Sequence, residues 1–332
     1  MRCLITGVAG FVGSHLVELL LKIPNIEIFG ADRWYTKKDN IWHLLERFKY
    51  LEFDMTDYSS VIHLLELAKP DKIFHLAAQS FVPTSYGAPS ETINTNVIGQ
   101  LNIFEACRQL KIDPTFQIAC SSEEYGLVFP NENPIKESNP FRPISPYAVS
   151  KIGQDMLGFQ YAKSFGLKVV RTRAFNHTGP RQSEQFVTSS FAKQIAEIES
   201  TEKEPVISVG NIDTKRDFLD VRDIARAYWL ATEKCTFGEV YNVCSGKSKS
   251  IREILENLIS LSPKAKDIVV KEERDRVRPN DVENIYGDNS KFVNETGWEP
   301  IIPLERTMND LLDYWREIVR KRSFTRSERH QS

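Results

Sequence analysis

Residues 2–13 read RCLITGVAGFVG, and this stretch decides the fold. The run RCLIT is short and apolar, as a buried strand requires. Three glycines follow at once, Gly7, Gly10 and Gly13, in the spacing GxxGxxG, and from about Val12 to Leu21 the apolar residues recur at helical spacing. Glycines let a backbone turn tightly and approach a pyrophosphate, and the helix behind them offers its first amides to the phosphates. Glycine clusters also make plain turns. The strand before and the helix after give this one its dinucleotide reading.

Outward from that loop the pattern repeats. Strand candidates lie at 26–31, 49–53, 72–77 and 116–120, with helical patterns between them at 58–67 and 91–109. Strands alternating with helices predict an α/β fold, a Rossmann-type doubly wound parallel sheet, through about residue 175. After Asn176 the pattern loosens. A helix is expected at 186–199, and 262–300 is irregular and charged. The reading is a smaller C-terminal lobe over 176–319 that holds substrate, with a return to the sheet near 217–245. Residues 320–332, RKRSFTRSERHQS, are polar and basic and are expected to be a disordered tail.

Composition narrows the function. With 332 residues, 41% of them hydrophobic, the chain can bury a proper core. A formal charge of -2 gives no global field toward nucleic acid or membrane, and no apolar run approaches the length of a span. The five cysteines, Cys3, Cys107, Cys120, Cys235 and Cys244, are scattered and form no CxxC pair. Neither a metal nor a disulfide framework is expected, and a reducing cytoplasmic setting fits. No signal peptide is expected ahead of the first strand candidate.

Cofactor residues follow from the strand ends. Phe11 and Val12 open the helix that faces the phosphates. Asp32 ends the second strand candidate, where a carboxylate can accept both ribose hydroxyls of NAD and repel a 2′-phosphate. Arg33 comes next and could instead pair with that phosphate, so NAD is favoured with NADP left open. Asp54 and Met55 follow the third strand on the adenine side. Leu76, Ala77 and Ala78 follow the fourth and are small or apolar enough for the cofactor to pass.

The chemistry sits in two motifs. Tyr147 and Lys151 in SPYAVSK, at i and i+4, share one helix face. A free tyrosine, with a pKa of about 10, is a poor base at neutral pH, and a nearby ammonium should lower that value. The pair is then a proton shuttle for a hydroxyl undergoing hydride transfer. Ser121, Ser122 and Glu123 in CSSEEYG follow the fifth strand candidate, at the end where open α/β sheets place ligands. Ser121 can hold a substrate oxygen beside Tyr147, and Glu123 can take a carbon-bound proton. Standing alone, Glu123 and Glu124 would read as solvated loop charges. Their place between the glycine loop and the Tyr–Lys motif favours a site.

The strings GVAGFVG, HLAAQS, SSEEYG, SPYAVSK, RAFNHTGP, RDFLDVRD, YNVCSG and RPNDVE cover nearly the whole chain. Together they resemble the extended short-chain dehydrogenase/reductase family. The strip NHTGPRQSEQFVTSSFAKQI resembles its GDP-mannose 4,6-dehydratases and GDP-4-keto-6-deoxymannose reductases. The resemblance implies an NAD(P)-dependent enzyme acting on a GDP-sugar, and a homo-oligomer, dimer or tetramer. It implies that Ser121 bonds O4 of the hexose, Glu123 is the base at C5, Tyr147 with Lys151 is the redox pair, and His177 contacts cofactor. Ser80, Asn176, Val187, Lys193, Arg216, Arg278 and Asp281 then fall among the substrate contacts, and guanidinium forks suit a diphosphate. Two departures stand out. Gln182 in NHTGPRQ replaces an arginine that helps bind NADP in the dehydratases, and Asp32 is not what an NADP-preferring dehydratase carries. A reductase therefore stays as the alternative to a dehydratase.

Overall fold

The computed structural model describes residues 1–200, 204–273 and 282–329, with side chains through 322. The chain divides into two compact units. Unit 1 comprises Met1–Phe175, Val221–Cys244 and Gly287–Glu299, and unit 2 comprises Asn176–Asp220, Ser245–Tyr286 and Pro300–Ser332.

Unit 1 is built on a seven-stranded sheet. Its first six strands are β1 (Arg2–Thr6), β2 (Glu27–Asp32), β3 (Lys49–Glu52), β4 (Lys72–His75), β5 (Thr115–Ser121) and β6 (Val169–Ala174). Val240–Val243 is the seventh, and the order from that edge runs through β6, β5, β4, β1 and β2 to β3. Every pairing is parallel. Helices cover both faces, so β4 and β6 are buried at every residue. β1 pairs β2 on one side and β4 on the other. The order of the sheet reverses there, and open α/β sheets bind ligands at such a point.

Local chemistry fixes the helices that matter. α1 (Phe11–Leu20) starts from Gly10, which supplies no capping side chain. α2 (Tyr58–Ala68) is capped by Asp57, whose carboxylate accepts the Ser59 amide at 2.8 Å. The helix Pro146–Phe165 carries Tyr147 and Lys151. Ser145 caps it by accepting the Ala148 amide at 3.1 Å, Pro146 suits its first turn, and Gly166, at φ +72°, ends it. Phe104 stands at the centre of the core, its ring 5.0 Å from Phe116 and 4.9 Å from Tyr161. Burying each such ring stabilises the fold by roughly 1.5–3 kcal/mol. All five cysteines are buried, none of them forms a disulfide, and all belong to unit 1.

Unit 2 packs the helices Val187–Ser200, Ile251–Ser260 and Leu304–Arg329 around Phe191, Ile195, Leu255, Leu311 and Trp315. The Trp315 indole donates to Ser189 Oγ at 2.8 Å. The strand Lys215–Asp220 runs parallel to Asn176–Thr178 and Asn284–Ile285 and antiparallel to Ser248–Ser250. The stretch from Arg320, expected to be a disordered tail, continues the last helix through Arg329, and residues 330–332 lie outside the described residues. The stretch 304–329 holds no glycine or proline, and Lys321 pairs with Glu317 one turn back at 2.6 Å. High charge alone does not melt a segment made of helix-forming residues.

Candidate functional site

The glycine loop is built by close approach. Gly7 sits at φ +72° with its amide on the Ala31 carbonyl at 2.8 Å. A Cβ on Gly13 would lie 2.4 Å from the Gly7 carbonyl oxygen, and one on Gly7 would lie 2.8 Å from the Ala77 amide. No side chain can be added without moving backbone. The uncapped start of α1 leaves its first amides for an anion, so these residues fit a dinucleotide pyrophosphate. Gly13→Ala is expected to weaken NAD(P) binding by at least an order of magnitude, because a clash with backbone cannot be relieved by a rotamer change. A cofactor titration that matches wild type would remove the loop from this role.

Asp32 closes β2. Its Oδ2 accepts the Ala9 amide at 2.9 Å and its Oδ1 the Thr36 hydroxyl at 3.2 Å. Burial pushes its carboxyl above the usual range, and the Ala9 bond works against that shift. The carboxylate thus braces the glycine loop through Ala9. The Arg33 guanidinium lies 4.8 Å from the centroid of the exposed Tyr35 ring. Asp54 Oδ1 accepts both the amide and the hydroxyl of Thr56, at 2.9 and 2.7 Å. Met55 is buried, and its carbonyl takes the Asn102 side chain at 2.9 Å. The Leu76 amide reaches the Thr6 carbonyl and the Ala77 amide the Thr6 hydroxyl, each at 3.3 Å. Ala78 is half-buried and Ser80 exposed.

β5 ends at Ser121, and the chain turns at once through Ser122–Glu124. Ser121 Oγ accepts the Glu123 amide at 3.2 Å and shares a hydrogen bond with Tyr147. Glu123 is half-buried, and its charge acts on the Tyr147 phenol. Ser121 and Glu123 therefore both act on Tyr147, the first through a hydrogen bond and the second through its charge. Lys151 is buried, and its ammonium donates to the Ala119 carbonyl and to Gln154 Oε1, both at 2.8 Å. It lies 5.8 Å from the Tyr147 ring centroid. The expected lowering of the phenol is not what this geometry gives. Burial dominates and pushes Tyr147 above its ordinary value, Ser121 pulls it down, and Glu123 and Glu124 push it further up. Burial likewise lowers Lys151. Tyr147 rests as the neutral phenol, the form that protonates an alkoxide.

Several residues here escaped the sequence reading. Asn96 takes the Gln79 amide on its Oδ1 at 2.8 Å and donates to Ser150 Oγ at 2.8 Å, tying the loop after β4 to the Tyr–Lys helix. Gln154 stands one turn beyond Lys151, a spacing that could have flagged it. His75 is buried with Nδ1 on the Thr6 hydroxyl at 2.9 Å and no partner for Nε2, and burial lowers it to about 3.

In unit 2, Asn176 and His177 lie half-buried on one strand, and the His177 carbonyl accepts Gln182 Nε2 at 2.9 Å. Gln182 Oε1 takes the hydroxyls of Thr178 and Thr188 at 2.8 and 3.0 Å. The glutamine that stands in place of an arginine is thus a buried brace. Val187 begins the following helix and is 39% exposed. Lys193 pairs with Glu184 at 2.9 Å and Glu197 at 3.6 Å. Arg216 is half-buried and donates to the Lys215 carbonyl at 2.8 Å. Arg278 and Asp281 lie outside the described residues.

The parallel sheet, the glycine loop at its reversal point and the Tyr–Lys helix define an NAD(P)-dependent enzyme of the extended short-chain dehydrogenase type. The family model described as GDP-mannose 4,6 dehydratase matches residues 4–311. The chain belongs to that family. It is 33% identical over 323 residues to a GDP-6-deoxy-D-mannose reductase of Pseudomonas aeruginosa, covering 96% of this chain and 99% of that one. It is 31% identical over 349 residues to a GDP-mannose 4,6-dehydratase of Yersinia enterocolitica, covering 94% and 92%. The solved structure of RMD from Pseudomonas aeruginosa complexed with NADPH superposes with a TM-score of 0.82 at 31% identity, covering 96% of this chain and 98% of that one. No described helix is long and apolar enough to cross a membrane.

Proposed function

We propose that this enzyme dehydrates GDP-mannose to the GDP-4-keto-6-deoxy sugar. The observation that carries the reading is Glu123, set on the turn that follows Ser121, with its charge acting on Tyr147. NAD(P)⁺ held at the glycine loop would supply a hydride acceptor for C4 and, once reduced, a hydride donor for C6. Ser121 holds O4, and Tyr147, once ionised, receives the O4 proton, which passes to solvent because the product keeps the C4 ketone; solvent returns one proton to C5 through Glu123. The C4 carbonyl acidifies C5–H. Glu123 takes that proton, the C5–H electron pair forms the C5–C6 double bond, and hydroxide leaves C6 with a proton from Glu123 as water. Hydride at C6 and a proton at C5 then complete a reaction with no net redox change. By resemblance, His177 would contact the cofactor, and Asn176, Val187, Lys193 and Arg216 the nucleotide sugar. Ser80, Arg278 and Asp281 complete that set by resemblance.

One observation favours a second reading. The neutral resting state of Tyr147 suits an acid that protonates O4 while a 4-ketone is reduced, and a reductase is among the relatives. Incubation with GDP-mannose and NAD⁺ or NADP⁺, read by mass, separates the two. Loss of one water supports dehydration, and an unchanged mass rejects it.

The same site bears on cofactor choice. Asp32, fixed by Ala9 and Thr36 at the end of β2, supports NAD(H), because a carboxylate beside the ribose would repel a 2′-phosphate. NAD(H) is expected to bind tighter than NADP(H). Titration of both against the protein decides this, and a preference for NADP(H) would shift the role to Arg33.

A further inference from the structure

Arg171 and Arg173 both lie in the wholly buried strand β6, so their charges have to be met inside the protein. Both reach Asp155 on the Tyr–Lys helix, Arg171 Nη1 donating to Oδ1 and Arg173 Nε to Oδ2. Arg173 Nη1 goes on to the Tyr125 hydroxyl and the Glu137 carbonyl, each at 3.0 Å. Glu124 is the next charged group in this pocket and is 0% exposed. Its Oε1 accepts the Ser121 amide at 2.8 Å. Its Oε2 lies 3.2 Å from Arg173 Nε. That nitrogen has one hydrogen, however, and aims it at Asp155, 2.7 Å away. Glu124 Oε2 is left with no donor.

An ionised oxygen out of water and without a donor is strongly disfavoured. A proton on Oε2 turns it into a donor, and Asp155 is there to accept. Burial first, then the Asp155 charge, pushes the Glu124 carboxyl well above the usual range, with Arg173 pulling the other way. The titratable and charged neighbours of the pocket are Cys120 on β5, Tyr125 after the turn, Tyr147, Lys151 and Asp155 on the helix, and Arg171 and Arg173 on β6. Cys120, Glu124 and Asp155 offer ligand atoms within 4.8 Å of one another. The two guanidiniums already answer the carboxylate charge, so these groups form a hydrogen-bond frame and not a metal centre.

We infer that Glu124 is a neutral carboxylic acid whose bonds from the Ser121 amide and to Asp155 position the turn that presents Ser121 and Glu123 to Tyr147. It is a positioning residue, locked through Asp155 to the helix and through both arginines to the sheet. The roles of Ser121 and Glu123 rest on the function proposed above, whereas the protonation of Glu124 does not.

Two variants of the full chain test this. Glu124→Gln copies the neutral acid, its carbonyl accepting from Ser121 and its amide donating to Asp155. Glu124→Leu keeps the bulk and loses both bonds. Glu124→Gln is expected to retain wild-type kcat, while Glu124→Leu loses on the order of 10-fold to 10²-fold in kcat with KM little changed, because the turn is misplaced. Infrared spectra at neutral pH should show the carbonyl stretch of a neutral carboxyl group in wild type and in Glu123→Gln, and its loss in Glu124→Gln. The same spectrum before and after the Glu124→Gln change overturns the inference. So does a Gln variant as impaired as the Leu variant. If Glu124→Leu does not fold, the Gln variant and the spectra still decide. If neither sugar reaction runs in wild type, the function falls while the infrared band decides the state of Glu124.

Discussion

Tyr147→Phe is expected to lower turnover by on the order of 10²-fold to 10⁴-fold while leaving cofactor binding nearly unchanged. The ring of Tyr147 is buried and packed, and phenylalanine fills the same space. What goes is the hydroxyl, together with its bond to Ser121. In either direction of hydride transfer the substrate oxygen must lose or gain a proton. Lys151 cannot stand in, because its ammonium is bonded to Ala119 and Gln154. Steady-state rates beside a cofactor titration check this. A Phe variant with normal turnover would place the proton transfer elsewhere.

Glu123→Gln separates dehydration from reduction. The amide keeps size and hydrogen bonding and removes basicity. In a dehydratase the variant should still oxidise C4, so reduced cofactor accumulates, but it should neither lose water nor exchange C5–H with solvent deuterium. The expected loss of product is on the order of 10²-fold or more, as for removal of a general base. In a reductase the same change should barely alter reduction of the 4-ketone. Absorbance of the reduced cofactor, together with mass analysis after deuterium exchange, reads both outcomes. Full dehydration by Glu123→Gln would remove the residue from C5.

The fold was readable because its signals are local. RCLIT, the glycines and the helix behind them are contiguous, and the sheet follows from their repetition. Ser121, Glu123, Tyr147 and Lys151 were readable because short motifs name them. The frame behind them was not. Glu124 and Arg173 are far apart in sequence and meet only when β6 is laid beside β5, and Glu124 looked like a solvated loop charge beside Glu123. The effect of burial on Tyr147 was equally hidden, since spacing shows proximity and says nothing of desolvation. The second return of the chain to unit 1, Gly287–Glu299, fell within a stretch read as irregular. The last helix was missed because charge was taken as a sign of disorder, although the residues themselves favour helix.

The buried cysteines give the enzyme built-in clocks. Cys3, Cys107, Cys120, Cys235 and Cys244 are each at most 6% exposed, and burial pushes Cys3 and Cys235 up to about 12. Thiolate, the reactive form, is scarce in the closed state, and a labelling reagent has no access to it. Modification of a thiol therefore waits for the surrounding segment to open. Cys3 times the parting of β1 from its neighbours, and Cys107 the lifting of the helix Gly99–Leu110. Unit 2 contains no cysteine and is silent in the same experiment. Labelling rates read position by position would map the opening energies of the dinucleotide unit alone, with no engineered probe.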